Sequence, residues 1–190
     1  MNISMGIVLG YLCGSLLPGY WIGKYFCGKD LQAEGSGNIG ATNAFRILGP
    51  AVGTFVLCLD VAKGAAAVWI SNQIGGIGTL SGLAAIVGHT FSPFLKFRGG
   101  KGVATGLGVF LCLTPKPALA AVIVFIVVIV ISRRVSPASC LAACALGAST
   151  PMVSKDPVLI GISEAAALLI LIRHRSNIRR LLRGEEPALF

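Results

Sequence analysis

Pro117-Ala118-Leu119-Ala120-Ala121-Val122-Ile123-Val124-Phe125-Ile126-Val127-Val128-Ile129-Val130-Ile131-Ser132 is a dense Val/Ile run without one ionisable side chain. Lys116 stands just before it and Arg133-Arg134 just after. A run of this kind has no polar face to offer water, and it marks a segment that belongs in lipid. The rest of the chain reads the same way. Of its 190 residues 55% are hydrophobic and 12% charged, with a mean hydropathy of +0.83. A soluble domain carries roughly 25% charged residues, so the composition is that of an integral membrane protein.

Outward from that run, further apolar segments lie at residues 3–23, 51–71, 75–95, 102–114, 137–152 and 157–172. With 117–132 they predict an all-α polytopic protein of seven spans, one domain over residues 1–190. In the first span Gly6, Gly10 and Gly14 fall four apart, and Gly19 and Gly23 repeat the spacing. Small residues at i, i+4 put a smooth ridge on one helix face and allow close packing in lipid. The 102–114 segment is short: thirteen helical residues cover about 20 Å, against a hydrocarbon core of about 30 Å. The opening Met1-Asn2-Ile3-Ser4-Met5 has no basic region and no cleavage site follows, so no signal peptide is expected.

The net charge of +9 does not point to nucleic acid, because the charges sit in short loops between apolar runs. With the N-terminus outside, Lys24, Lys29, Arg46, Lys96, Arg98, Lys101, Arg133 and Arg134 fall in cytoplasmic loops. Arg173, Arg175, Arg179, Arg180 and Arg183 fall in a cytoplasmic tail, and only Lys116 and Lys155 lie outside. That bias fixes the expected orientation, N-terminus out and C-terminus in. The six cysteines lie mostly within apolar runs without a C-x-x-C pair; they read as small membrane-embedded residues, and no metal or cofactor is expected.

Gly35-Ser36-Gly37-Asn38-Ile39-Gly40-Ala41-Thr42-Asn43-Ala44-Phe45-Arg46 carries the chemistry. Three glycines free the backbone to turn its N–H groups inward. Ser36, Asn38, Thr42, Asn43 and Arg46 add hydroxyls, amides and a guanidinium, which is what a phosphate needs. The competing reading is a polar loop between helices. Gly35, Gly37 and Gly40 also match G-x-G-x-x-G, but no buried strand precedes them, which rejects a dinucleotide fold. A second glycine-rich stretch, Phe97-Arg98-Gly99-Gly100-Lys101-Gly102-Val103-Ala104-Thr105, faces the same side. It is not a Walker A loop, since Gly102 follows Lys101. Lys101 presents a point charge to phosphate or snorkels to the membrane edge. Asp60 and Lys63 share a helix face as a structural pair or a substrate contact. His89 reads as a hydrogen-bonded structural residue. The tail His174-Arg175-Ser176-Asn177-Ile178-Arg179-Arg180-Leu181-Leu182 reads as a helix with His174, Asn177 and Leu181 on one face.

Together these motifs resemble the acyl-phosphate:glycerol-3-phosphate acyltransferase family of bacteria, the PlsY family. The likeness also takes in Leu59-Asp60-Val61-Ala62-Lys63-Gly64, Gly88-His89, Val135-Ser136-Pro137-Ala138-Ser139 and Gly184-Glu185-Glu186, in one order along nearly the whole chain. The resemblance implies transfer of a fatty acyl group from acyl phosphate to the 1-hydroxyl of glycerol 3-phosphate, giving lysophosphatidate and phosphate in the bacterial cytoplasmic membrane. It implies Ser36, Arg46, Lys101, His174 and Asn177 as catalytic residues. Gly35, Gly37, Asn38, Gly40, Thr42, Asn43, Lys63, Gly100 and Ser139 join them as substrate contacts, and Glu186 ends the tail motif. The expected partners are acyl phosphate, glycerol 3-phosphate, the bilayer and the soluble enzyme that makes acyl phosphate. The competing function is an organophosphate or anion transporter, which also needs basic residues and broken helices; a structural protein without a site is disfavoured by the 35–46 cluster.

Overall fold

The computed structural model describes residues 2–189, and among these residues it is all-helical with no strand. Ten α-helices follow in order: α1 Asn2–Ser15, α2 Pro18–Trp21, α3 Ala41–Leu48, α4 Pro50–Gln73, α5 Gly78–Thr90, α6 Val103–Leu113, α7 Pro115–Ser132, α8 Val135–Val153, α9 Pro157–Arg173 and α10 Arg175–Leu182. A π turn covers Ile22–Phe26 and a 3₁₀ turn Pro93–Leu95. By length and apolar composition three stretches suffice to cross a membrane: Asn2–Phe26, Pro50–Gln73 and Pro115–Ser132. α9 and α10 form a fourth if taken as one span bent by 55°. The helices fall into two compact units, one running to Cys112 and the other from Leu113.

In the first unit α1 packs on α4 and α5. Its buried face is Gly6, Gly10, Gly14 and Ser15, the ridge that the four-residue spacing predicts. A Cβ on Gly10 would strike Ser81, and one on Gly14 the Ala85 carbonyl, so α5 lies against bare backbone. Without a hydrophobic force between helices in lipid, that closeness is what the pair gains from packing. The span expected over 3–23 is interrupted at Leu16-Leu17, because Pro18 opens a new helix and bars Leu17 from helical geometry. The span expected over 75–95 is shorter. α5 starts at Gly78 and stops at Thr90, and Pro93 holds Ser92 extended.

Between the π turn and α4 the chain folds over a small core of Leu17, Leu31, Ile39, Ala44, Val56 and Leu95. Gly19 presses on the Ile39 carbonyl and Gly53 on the Phe45 backbone. The 35–46 stretch therefore stands over an apolar floor, to which Leu95, just before the 97–105 stretch, also contributes.

The second unit is α7 to α10 and the tail. α7 packs on α8, and α8 on α9. α8 buries its small residues Ala138, Ser139, Ala142, Ala143 and Gly147. Asp156 caps α9 by accepting a hydrogen bond from the Val158 N–H at 2.9 Å, with Pro157 at the first helical position.

Candidate functional site

The 35–46 loop is shaped by two of its own amides. Asn43, at the start of α3, is buried. Its Oδ1 accepts from the Ser36 N–H at 3.0 Å, and its Nδ2 donates to the carbonyls of Leu31 at 3.1 Å and Glu34 at 2.9 Å. One side chain thus ties three backbone points of the loop to one helix. Asn38 Oδ1 accepts from the Gly40 N–H at 2.8 Å, an Asx turn that leads the chain into α3. Gly35 and Gly37 have φ of 61° and 69°, a region that side chains resist. Ser36 is exposed, and Thr42 and Arg46 follow, half-buried and one helical turn apart on α3. Asn43, expected among the substrate contacts, instead has its amide occupied within the loop.

The 97–105 stretch is fixed differently. The Gly99 N–H donates to the Thr90 carbonyl at 3.1 Å and the Gly100 N–H to the His89 carbonyl at 3.0 Å, so this segment runs back along the end of α5. A Cβ on Gly99 would strike those carbonyls, and one on Gly100 the His89 ring. Gly102, at φ 81°, then turns the chain into α6. Lys101 sits half-buried between that segment and the helix start.

Beneath lies a buried cluster. The Lys63 ammonium is 2.7 Å from Asp60 Oδ1 and 2.8 Å from His89 Nδ1, and it donates to the Leu16 carbonyl. Lys63, also expected to touch substrate, is buried with these groups around its ammonium. Thr105 Oγ1 lies 3.1 Å from the same ring nitrogen. The Asp60–Lys63 pair is legible from the i, i+3 spacing. The addition of His89 and Thr105 is not, because no local pattern links them.

In the second unit His174 ends α9 and caps α10. It is buried, with Nδ1 2.8 Å from the Ile170 carbonyl. A carbonyl only accepts, so Nδ1 carries the proton and Nε2 is the unprotonated nitrogen of the neutral ring. One turn later, Asn177 Nδ2 donates to Glu186 Oε1 at 2.7 Å. Ser136 Oγ donates to the same oxygen at 2.6 Å, and Arg180 Nε to Oε2 at 2.8 Å. Arg134 Nε donates to the Glu186 backbone carbonyl at 2.8 Å. Burial raises the Glu186 pKa, but the hydrogen bonds from Ser136, Asn177 and Arg180 outweigh it and hold the carboxyl below its ordinary value. Ser139 is buried on α8, one turn after Ser136. Ser136 and Arg134 were not singled out by their chemistry. The signal for Ser136 was the Val135–Ser139 motif, whose one-turn spacing places Ser136 and Ser139 on one face; Arg134 stood only among the basic loop residues.

Apolar helices, with a glycine-turned polar loop in one unit and a hydrogen-bonded carboxylate network in the other, are those of a multi-pass membrane protein. The sequence model of the family described as Glycerol-3-phosphate acyltransferase matches residues 4–184. A "Glycerol-3-phosphate acyltransferase" of Fusobacterium nucleatum subsp. nucleatum is 44% identical, over 95% of this chain and 94% of its own. One of Staphylococcus aureus (strain Newman) is 41% identical, over 100% of this chain and 98% of its own. Among solved structures, the glycerol 3-phosphate form of PlsY, an integral membrane glycerol 3-phosphate acyltransferase, superposes with a TM-score of 0.93 at 36% identity. That match covers 97% of this chain and 94% of the other, and the lysophosphatidic acid form gives 0.90 at 35%. The chain belongs to the glycerol-3-phosphate acyltransferase family.

Proposed function

We propose that this protein transfers a fatty acyl group from acyl phosphate to the 1-hydroxyl of glycerol 3-phosphate, releasing lysophosphatidate and inorganic phosphate. The observation that carries the reading is the likeness to PlsY at a TM-score of 0.93, a protein solved in a glycerol 3-phosphate form and a lysophosphatidic acid form. Those two ligands differ by one acyl group. In this reading the chain crosses the bacterial cytoplasmic membrane seven times, with its N-terminus outside and its polar loops and tail in the cytoplasm. Its partners are the bilayer, which holds the acyl chain, and the soluble enzyme that makes acyl phosphate.

The acyl donor is a mixed anhydride whose phosphate is already a good leaving group. The glycerol oxygen attacks the acyl carbonyl carbon, and the carbon–oxygen bond to phosphate breaks. Both substrates are anions, so the main task is to hold negative charges together and align hydroxyl with carbonyl. The first unit offers Arg46, a fork for two phosphate oxygens, Lys101 as a point charge, and the Ser36 and Thr42 hydroxyls. Backbone N–H groups around Gly35, Gly37, Asn38, Gly40 and Gly100 add fixed dipoles. Ser139, His174 and Asn177 are further substrate contacts on the strength of the family motifs that they match. The hydroxyl proton goes to a substrate phosphate, with His174 Nε2 as the alternative acceptor.

The test uses purified protein in lipid nanodiscs with acyl phosphate and glycerol 3-phosphate. The expected result is phosphate release that depends on the acceptor, with one lysophosphatidate formed per phosphate. Comparable turnover with an acyl coenzyme A donor, or phosphate release without acceptor, would overturn the assignment.

A further inference from the structure

The cluster beneath Lys101 is more elaborate than a helix pair needs. Asp60 and Lys63 already form an ion pair at 2.7 Å on α4. Yet the ammonium also reaches His89 on α5 at 2.8 Å, and Thr105 on α6 approaches the same ring nitrogen at 3.1 Å. All four side chains are buried. His89 Nδ1 thus faces Lys63, Thr105 and, at 3.3 Å, Asp60 Oδ1, while Nε2 forms the far edge of the ring. That edge of the ring abuts Gly100, since a Cβ there would fall on Nε2. The carbonyl of the same histidine accepts the Gly100 N–H at 3.0 Å. His89 thus grips Gly100 by backbone and ring, while Thr105 holds the first turn of α6 on the other side of Lys101. Three helices meet at one imidazole, and Lys101 lies on the short link between two of its attachments.

We propose that Asp60, Lys63, His89 and Thr105 are positioning residues that act through Lys101, fixing the place of its ammonium for the glycerol 3-phosphate phosphate. This rests on the reading of Lys101 as a phosphate ligand. The ring orientation is set by the charge pair, the ring sets Gly100, and Gly100 sets the residue after it. Glycine is required at 99 and 100 for the same reason: only bare backbone lets the link approach the ring and the two carbonyls.

The experiment is a double-mutant cycle on the full-length protein in nanodiscs, with KM for glycerol 3-phosphate, kcat and melting temperature as readouts. His89→Asn keeps an acceptor for Lys63 but removes the ring from Gly100. Lys101→Ala is expected to raise KM by about tenfold or more, and His89→Asn by about tenfold with kcat within about threefold. The double variant should have the KM of Lys101→Ala alone, to within about twofold, because the histidine then has nothing left to position. Full multiplication of the two effects overturns the positioning role and leaves the site reading intact. A Lys101→Ala variant with normal KM overturns the site reading, and the positioning proposal with it. Should His89→Asn fail to fold, Thr105→Val removes one hydrogen bond and should raise KM by about threefold, with Thr105→Ser restoring it. A fall in melting temperature with KM unchanged in Thr105→Val reduces the cluster to packing and overturns the proposal.

Discussion

Asn177 Nδ2 and Glu186 Oε1 lie 2.7 Å apart, and the same oxygen takes the Ser136 hydroxyl at 2.6 Å. The tail is thereby closed back onto α8 and α10 through one buried carboxylate, and the conformation of Asn177 depends on a residue nine positions away. Glu186→Gln keeps an acceptor oxygen but turns an amide toward Arg180 or Asn177. Hydrogen bonds to a charged group contribute about 1.5–3 kcal/mol each, and the substitution should cost about that much stability. Thermal melting of the variant checks it, and an unchanged melting temperature would show the network to be idle.

Acid titration follows from the same carboxylate. Its folded pKa is depressed, so its stabilising contribution is fully present above the unfolded value of about 4.3. It is lost as the pH falls through the folded value. The melting temperature of the wild type should therefore drop on acidification in that range, and the drop should be smaller in Glu186→Gln. Equal acid sensitivity in the two proteins would assign the effect to other carboxylates.

Asn43 offers a second separation of scaffold from site. Asn43→Ala strands the Ser36 N–H and the Leu31 carbonyl, while the Glu34 carbonyl keeps the Gly37 N–H; a buried group left unpaired costs about 1–3 kcal/mol. Asn43→Asp keeps the acceptor for Ser36 but sets a carboxylate against the Leu31 and Glu34 carbonyls, so it should destabilise at least as much. Both variants should lower the melting temperature. A raised KM with unaltered melting would instead make Asn43 a substrate contact.

How far these features were legible differs from residue to residue. The α1 ridge could be read because helix packing in lipid leaves a local mark, small residues every fourth position. The glycine turns at 35 and 37 were legible for a similar reason, since few other residues accept a positive φ. α3 left no clear mark, because eight residues between two glycines carry too little periodicity. The division of Asn43 from Arg46 was not legible at all: both are polar, one turn apart on a short helix, and only burial distinguishes the buried staple from the half-buried arginine. His89 reaches Lys63 across 26 residues and Thr105 reaches His89 across 16, through tertiary packing that no spacing rule records.

The proposed orientation has a direct measurement. Single cysteines introduced into a cysteine-free variant are labelled from outside intact cells with an impermeant reagent. Lys155→Cys should react, whereas Arg133→Cys and Arg46→Cys should react only after permeabilisation, given that thirteen basic residues lie on the expected inner side and two on the outer. Labelling at 133 from outside would remove the seven-span arrangement.

His174 separates the two proton routes. With Nδ1 held on the Ile170 carbonyl, Nε2 is the ring's basic atom. If a substrate phosphate takes the proton, His174→Ala should raise KM for glycerol 3-phosphate more than it lowers kcat. Collapse of kcat at constant KM would make the histidine the base, provided single-turnover rates show that chemistry limits the reaction.

Arg46 is the sharpest test of the 35–46 loop. α3 begins at Ala41, so Thr42 and Arg46 share a face one turn apart, directly after the Asn38 turn. A guanidinium binds two phosphate oxygens with parallel N–H groups, while lysine offers only a compact point charge. Arg46→Lys keeps the positive charge and the long apolar stem. If the arginine only snorkelled to lipid headgroups, lysine would serve as well. The expected outcome is a folded, membrane-inserted protein with wild-type melting and most activity lost. One charge-assisted hydrogen bond is worth about 1.5–3 kcal/mol, so kcat/KM should fall on the order of ten- to a hundredfold. Ser36→Ala should act in the same direction through its exposed hydroxyl, and less strongly, since a neutral donor contributes about 0.5–1.5 kcal/mol. Steady-state kinetics of both variants, with melting as the folding control, decide the matter, and near-normal activity in Arg46→Lys would return the stretch to an ordinary loop.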